Sequence, residues 1–232
     1  KRVGFRGVTK VGNVKLPGRE KGPGIRFPHQ AKFQPVKYVY GLARAAEKLG
    51  VKIYVGKRVN DVTGADSKKQ QPAKVTLDGG AEVLADAVVV ATNTPAPIND
   101  WFGIYTKQAS YRTYVVGIEI PADAIEDALY WDTGRSYHYV RLYGNDRQSN
   151  RAVLLVGGED HKTGQGSPDA SRFEKLVAWA RDHFAAHGEV VSKWSGQVQE
   201  SIDGLGFIGH ALTAHEQVYV ITGDSGMGLT HG

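Results

Sequence analysis

The run Ala87-Val88-Val89-Val90-Ala91 is apolar at every position, so a strand built from it is apolar on both faces. Such a strand belongs in a covered, largely parallel sheet, and that restricts the fold more than any other stretch. It ends in the polar turn Thr92-Asn93-Thr94-Pro95. A second apolar strand, Gln217 to Thr222, runs into Gly223-Asp224-Ser225-Gly226-Met227-Gly228-Leu229-Thr230. Gly223, Gly226 and Gly228 lack Cβ atoms, so a ligand can approach the backbone closely. Ser225 is a candidate cap for a helix starting near Gly226, whose free N–H groups favour an anionic or electron-rich oxygen. Asp224 is suited to accept hydrogen bonds from sugar-like hydroxyls. The bland alternative is a glycine-rich turn needed only for packing.

Between these landmarks the periodicity separates two textures. Val36, Val39, Leu42, Ala43, Ala46 and Leu49 share one face of a helix over Pro35 to Leu49, with Gly50 as its stop. Val51, Ile53 and Val55 alternate and predict a strand leaving it directly. Arg58 to Thr63, Lys74 to Leu77 and Ala81 to Leu84 predict a meander, turning at Asp78-Gly79-Gly80. Tyr111 to Ile120, Ala128 to Asp132, Ser136 to Leu142 and Arg151 to Gly157 predict an antiparallel sheet with a bend at Gly144-Asn145-Asp146. A loop over Gly158 to Gly166 precedes a helix capped by Ser167, with Pro168 in its first turn. Phe173, Leu176, Val177, Ala180 and Phe184 form its apolar face, and Gly188 its end. Glu189 to Trp194 is a further strand, followed by a loop through Gly209. The opening Lys1 to Phe27 is Gly-rich, with one or two short strands.

Hydrophobic residues make up 41% and charged residues 23% of the 232, an ordinary globular balance. The net charge of +5 is scattered, without the basic stripe of a nucleic-acid surface. No stretch reaches the length of a membrane span and none resembles a signal peptide, so the expected location is cytoplasmic. Cysteine is absent, which excludes disulfides, thiolate metal sites and a cysteinyl flavin link within these residues. The first residue is Lys1 rather than Met, and the last glycine turn ends the sequence. Both lead to the expectation of a piece of a longer protein.

The segment "VYVITGDSGMGLTHG" resembles the C-terminal flavin-binding segment of FAD-dependent oxidoreductases of the glycine/D-amino-acid oxidase superfamily. It is most similar to the bacterial subgroup often fused to a C-terminal Rieske domain. The stretches "IRFPHQAKFQPVKYVYGLARAAEKLG", "ADAVVVATNTPAPIND", "YHYVRLYGNDRQSNRAVLLVGGEDHKTGQ" and "WSGQVQESIDGLGFIG" fit the same family in order. The resemblance implies an α/β fold (α+β overall), an incomplete Rossmann-like FAD-binding layer with an inserted antiparallel-sheet substrate domain. Residues 1–29 would be a leading strand-and-loop segment of the substrate domain, 30–97 and 217–232 would form the FAD layer, and 98–216 the rest of the substrate domain.

The resemblance also implies site roles. Gly223 and Asp224 would lie beside the ribityl–pyrophosphate. The backbone of Gly226, Met227 and Gly228 would face the flavin, with Ser225 and Leu229 in the same segment, and Thr230 would hydrogen-bond the pyrimidine edge. The new helix would stabilise negative charge on the flavin. Val59 would border the adenine, and Ala91, Thr92 and Asn93 the phosphates and ribose. The family's G-x-G-x-x-G turn is absent; in Gly22-Pro23-Gly24 the proline cannot donate an N–H. FAD is therefore expected in the intact protein, with an N-terminal segment supplying the rest of its site, and this piece is expected to hold it weakly or not at all.

The expected substrate is a small amine or amino acid lying between flavin and inserted sheet, with Gln34, Tyr111, Arg112, Trp194 and Gln197 as candidate lining residues. Arg112 is either a fork for a substrate carboxylate or a surface ion pair. Tyr137 and Tyr139 share one face of a strand, with His138 on the other. His183 and His187 have metal-ligand spacing but no third ligand, so no metal is expected. Glu159-Asp160-His161 reads as a solvated turn. The leading expectation is an FAD-dependent amine or amino-acid oxidoreductase, with a Rieske domain a candidate electron acceptor. The alternative is a binding module that kept the fold and lost the cofactor.

Overall fold

The computed structural model describes residues 7–18, 20–94, 103–134, 136–146, 148–165, 170–211 and 216–231. Pro95, Ser167 and Pro168 lie outside them. The chain divides into two compact units, the first holding residues 1–15 and 20–58, the second 16–19 and 59–232.

In the first unit, β1 (Thr9–Val11), β2 (Val14–Lys15), β3 (Glu20–Lys21) and β4 (Gly24–Arg26) form two antiparallel pairs, β1 with β4 and β2 with β3. This is more strand than the opening glycines predict. Helix α1 spans Pro35–Lys48; the Gln34 side chain accepts the Lys37 N–H at 2.6 Å, and Gly50 takes the left-handed φ of +93°. Its stripe of Val36, Val39 and Leu42 is more than half exposed. Val51, Ile53 and Val55 form no strand and are exposed. Alternation specifies a face, but a strand also needs a neighbour to bond its backbone. None pairs with this stretch among the described residues.

The second unit opens with the expected meander: β5 (Val59–Thr63), β6 (Ala73–Leu77) and β7 (Glu82–Ala85), antiparallel in that order. Gly79 and Gly80, at φ +83° and +82°, turn β6 into β7. Strand β8 (Val88–Asn93) follows. A five-stranded antiparallel sheet comprises β9 (Gln108–Ile120), β10 (Leu129–Trp131), β11 (His138–Asp146), β12 (Arg151–Lys162) and, after helix α2 (Ala170–Phe184), β13 (Val190–Ser201). Its spatial order is β10-β11-β12-β9-β13. Finally β14 (Phe207–His210) and β15 (Val218–Thr222) join β8 in a sheet ordered β14-β15-β8, and α3 (Gly228–His231) follows the glycine turn. The whole is a sheet-dominated α/β fold.

Several boundaries differ from the sequence expectation for physical reasons. Gly144, at φ +60°, sits where the β11–β12 register shifts, so it makes a bulge, and β11 continues to Asp146. Strand β12 carries a second shift between Gly158 and His161 and runs on to Lys162, through the stretch predicted as loop. Helix α2 ends earlier than Gly188; Ala185, at φ +49°, takes the left-handed position after it. Strand β13 continues seven residues past Trp194 to Ser201, because β9 offers its backbone a ladder along that length. Strand β14, inside the predicted loop, pairs with β15.

Strand β8 is only half covered. It pairs in parallel with β15, Val88 opposite Val218 and Val90 opposite Val220. Val90, Val218 and Val220 are buried with Val62, Ile104 and Ala211. Val89, on the other face, is 58% exposed, as are Ile208 and Ile221 in large part. The apolar run therefore marks the parallel strand, while its sheet is mixed and open on one side among the described residues.

The main core lies between α2 and one face of the five-stranded sheet, where Tyr114, Val116, Ile118, Leu154 and Val156 meet Leu176, Ala180 and Phe184. At its edge the Trp179 indole is stacked between His138 and His183, ring centroids 4.1 and 4.2 Å away. Asp132 fixes His138, accepting the backbone N–H at 2.8 Å and meeting Nδ1 at 2.9 Å. Burial alone would raise the Asp132 carboxyl, but its hydrogen bonds with His138 outweigh this and hold it below its ordinary value. A depressed folded-state carboxyl contributes stability that is present above the unfolded value and is lost as pH falls through the folded one. Asp132→Asn is therefore expected to cost about 1 kcal/mol at neutral pH and to flatten the loss of stability below about pH 4. Urea unfolding at several pH values checks this; a parallel offset of the two curves at every pH would contradict it.

Candidate active site at the glycine turn

The ends of β8 and β15, the glycine turn and the last residues of β13 meet in one place. Asn93 lies opposite Thr222, and the Thr222 hydroxyl donates to the Asn93 carbonyl. The Asn93 side-chain amide donates to Gln197 O at 3.0 Å. Thr94 Oγ1 accepts from Gln199 Nε2 at 2.9 Å and Gln197 Nε2 at 3.3 Å. Gln199, only 2% exposed, is held at its other end by Ser110 Oγ at 2.9 Å. Its main-chain oxygen accepts the Ser225 N–H at 3.0 Å, and the neighbouring Glu200 carboxylate accepts from Ser225 Oγ. Thr94, Ser110, Gln199 and Ser225 thus satisfy one another, while Gln108 Nε2 and Ser201 Oγ beside them are buried without a hydrogen-bond partner among the described residues.

The turn itself needs glycine at two positions. Gly223 and Gly226 have φ of +72° and +77°. A Cβ on Gly223 would lie 3.1 Å from Phe207, and one on Gly226 3.3 Å from Val198. Ser225 is also left-handed, at φ +50°, so it does not cap a helix at Gly226; its hydroxyl is given to Glu200. Asp224 folds onto its own turn, Oδ1 accepting from Gly226 N at 3.2 Å. Helix α3 starts at Gly228, two residues later than expected, and spans four described residues. A single turn sums few peptide dipoles, so its macrodipole carries little of the electrostatics.

Register decides which candidate residues share a face. Tyr111 is opposite Val198, and Trp194 opposite Val115. Both belong to the sheet face away from α2, together with Val198, which borders Gly226. Arg112 and Gln197 are opposite each other on the α2 face, two residues from Tyr114, and Arg112 Nη1 donates to Ser195 Oγ at 2.9 Å. Gln34 caps α1 in the first unit. Val59 begins β5 and packs against the second core. Ala91, Thr92 and Asn93 are exposed at the end of β8, and Gly226, Met227, Gly228, Leu229 and Thr230 are exposed in and after the turn.

The face away from α2 also holds Tyr137 and Tyr139. Gly157 leaves room for the Tyr139 ring, which a Cβ there would meet at 2.1 Å. Tyr139 Oη lies 3.1 Å from Thr113 Oγ1, and Tyr137 Oη donates to Asp160 Oδ2 at 3.0 Å. Burial and then the Asp160 carboxylate push the Tyr137 phenol well above its ordinary value. Asp160 is thus a partner in the sheet rather than a solvated loop residue. Gln199 and Glu200 were hidden because a polar stretch reads as loop until its backbone partner is known.

A flavin dinucleotide fits what is present. Left-handed glycines let main chain approach a planar ring, exposed Met227 and Leu229 offer it apolar contact, and Asn93 and Thr94 bring polar groups to the strand end. Among the described residues no group of three or more His, Cys, Asp and Glu is placed to hold a metal ion. No helix there is long and apolar enough to cross a membrane.

The chain is similar to known proteins in sequence and in fold. A Bacillus subtilis (strain 168) protein whose name describes it as a Rieske 2Fe-2S iron-sulfur protein, YhfW, is 24% identical over 206 residues, covering 87% of this chain and 38% of that protein. Among solved structures, glycine oxidase from Geobacillus kaustophilus superposes with a TM-score of 0.64 at 21% identity, over 80% of this chain and 47% of that one. Iminodiacetate oxidase from Chelativorans sp. BNC1 gives 0.72 at 15% identity, over 99% and 62%. L-proline dehydrogenase from P. horikoshii gives 0.63 at 18%, over 84% and 51%. At these identities the structures establish a shared fold, and the chain spans less than two thirds of each relative's length. Residues 13–232 match the family described as FAD dependent oxidoreductase (DAO), and the chain belongs to that family.

Proposed function

We propose that the intact protein oxidises a small amine or amino acid, passing a hydride from the carbon bearing nitrogen to FAD. The observation that carries this is the parallel pairing of β8 with β15, which sets the exposed Ala91-Thr92-Asn93 end beside the left-handed Gly223–Gly226 turn. FAD, when bound, supplies the electron acceptor; the chain supplies orientation and a dry face. In this reading the main chain of Gly226, Met227 and Gly228 lies against the flavin, with Thr230 at its pyrimidine edge and Val59 toward the adenine. Tyr111 and Trp194 wall the substrate side, while Arg112 and Gln197 brace the sheet from behind. The names glycine oxidase, iminodiacetate oxidase and L-proline dehydrogenase support an amine nitrogen next to the oxidised carbon.

The reading assigns residues 30–97 and 217–232 to the cofactor layer and 98–216 to the substrate domain. It places the pyrophosphate loop outside this sequence, so the 232 residues alone are inactive. The Rieske name of the Bacillus relative supports a fused iron–sulfur domain as electron acceptor, in a cytoplasmic protein. The test is purification of the intact protein. It is expected to be yellow, to release FAD stoichiometrically on denaturation, and to bleach anaerobically with a small amine or amino acid. A colourless protein that takes up no added FAD would overturn the proposal in favour of a binding module on the same fold.

A further inference from the structure

Ser225 is a non-glycine residue at φ +50°, a conformation that side chains with a Cβ adopt only when their surroundings hold them there. Two bonds do so. Its amide donates to Gln199 O at 3.0 Å, and its hydroxyl donates to Glu200 Oε2. Glu200 and Asp224 also form an antiparallel bridge, so the Glu200 main chain and side chain both grip the turn. Glu200 is on the same sheet face as Val198 and Tyr111, the face that borders Gly226. Tyr137, whose phenol is raised by burial, then Asp160 and Tyr139, and last by Glu200, lies on the same face. Lys162, opposite Tyr111, and Arg141, two residues from Tyr139, are cations on the same face.

We propose that Glu200 is a positioning and charge-setting residue for the flavin reaction: it locks the Ser225 turn and fixes a negative charge beside the ring. This rests on the flavin reading above. Reduction adds negative charge to a flavin, so a fixed carboxylate close by opposes it and makes the reduced ring readier to give electrons up. Such a bias suits an enzyme that hands its electrons to a further redox centre. A glutamine at this position keeps an oxygen to accept from Ser225 and removes the charge.

The experiment is a redox titration of the intact holoenzyme, wild type, Glu200→Gln and Glu200→Asp, with the thermal midpoint of each. Glu200→Gln is expected to shift the reduction equilibrium toward reduced flavin by about 3–10-fold, with little change in thermal midpoint. Glu200→Asp keeps the charge and is expected to titrate close to wild type even where its shorter arm lowers the thermal midpoint. Should Glu200→Gln not fold, Glu200→Met carries the same expectation. A wild-type potential in the neutral variant, or an equal shift in Glu200→Asp, would overturn the charge-setting role. Absence of bound flavin in the wild type would instead overturn the flavin reading.

Discussion

Replacing Gly188 with alanine is expected to destabilise the intact protein by about 3 kcal/mol, read as a fall in urea midpoint without a change of slope. The reason is main-chain contact. A Cβ on Gly188 would lie 2.0 Å from the Glu119 carbonyl oxygen and 2.9 Å from its carbon. Neither belongs to a flexible side chain that can swing aside. Both are part of β9, the strand hydrogen-bonded on both sides in the sheet. The approach is tied by Glu119 N–H donating to Glu189 O at 2.9 Å, and the β9–β13 register shifts between Val190 and Ser192 just beyond it. On the other side Ala186 is fully buried after the end of α2. The chain thus has to leave a helix and enter a sheet edge within a few residues, and Gly188 is where it passes closest. Gly196→Ala is the control: it lies in β13, has no atom within 4 Å of a built Cβ, and should change stability by no more than about 0.5 kcal/mol. Equal midpoints for the two variants would show that the close approach carries no energy.

That contact illustrates where the sequence was legible and where it was not. The α1 and α2 helices, the meander and strands β8 and β15 are local patterns that survive into the structure, whereas the alternation of Val51, Ile53 and Val55 does not, for want of a pairing strand among the described residues. The glycine turn survives too, since Gly223 and Gly226 both adopt conformations that favour glycine. Locally Gly188 reads as a helix stop, because a glycine after a helical pattern has that as its commonest use. Its real constraint comes from Glu119, 69 residues earlier in the chain, which no local pattern reports. The sequence expectation ends β13 too early for the same reason: its identity past Trp194 comes from β9, not from its own alternation. Face assignment likewise needs tertiary context. Tyr111 and Arg112 were both candidate substrate residues, yet adjacent strand residues point to opposite faces, and only the position of α2 says which face is which. Gln199 and Glu200 carry the turn without any composition signal.

Gly226→Val in the intact protein is expected to weaken FAD binding by at least about 100-fold, measured as retained flavin and by titration of apoprotein. Two costs add. The position has φ +77°, where a β-branched residue is strained. The new side chain also starts 3.3 Å from Val198 Cγ1, so it is driven either into the β13 floor or outward over the turn. The second course covers the main-chain surface on which the flavin is proposed to lie. Relaxing the turn is no escape, because Ser225 before it is tied to Gln199 and Glu200, and Met227 N–H after it donates to Asp224 O at 2.8 Å. Thermal stability separates these effects. The φ cost alone predicts a loss of about 1–2 kcal/mol in the flavin-free protein, far short of unfolding a domain of this size. A folded Gly226→Val protein that has lost FAD would tie the glycine to the ligand. A folded variant that keeps full FAD affinity would mean that the turn serves packing alone.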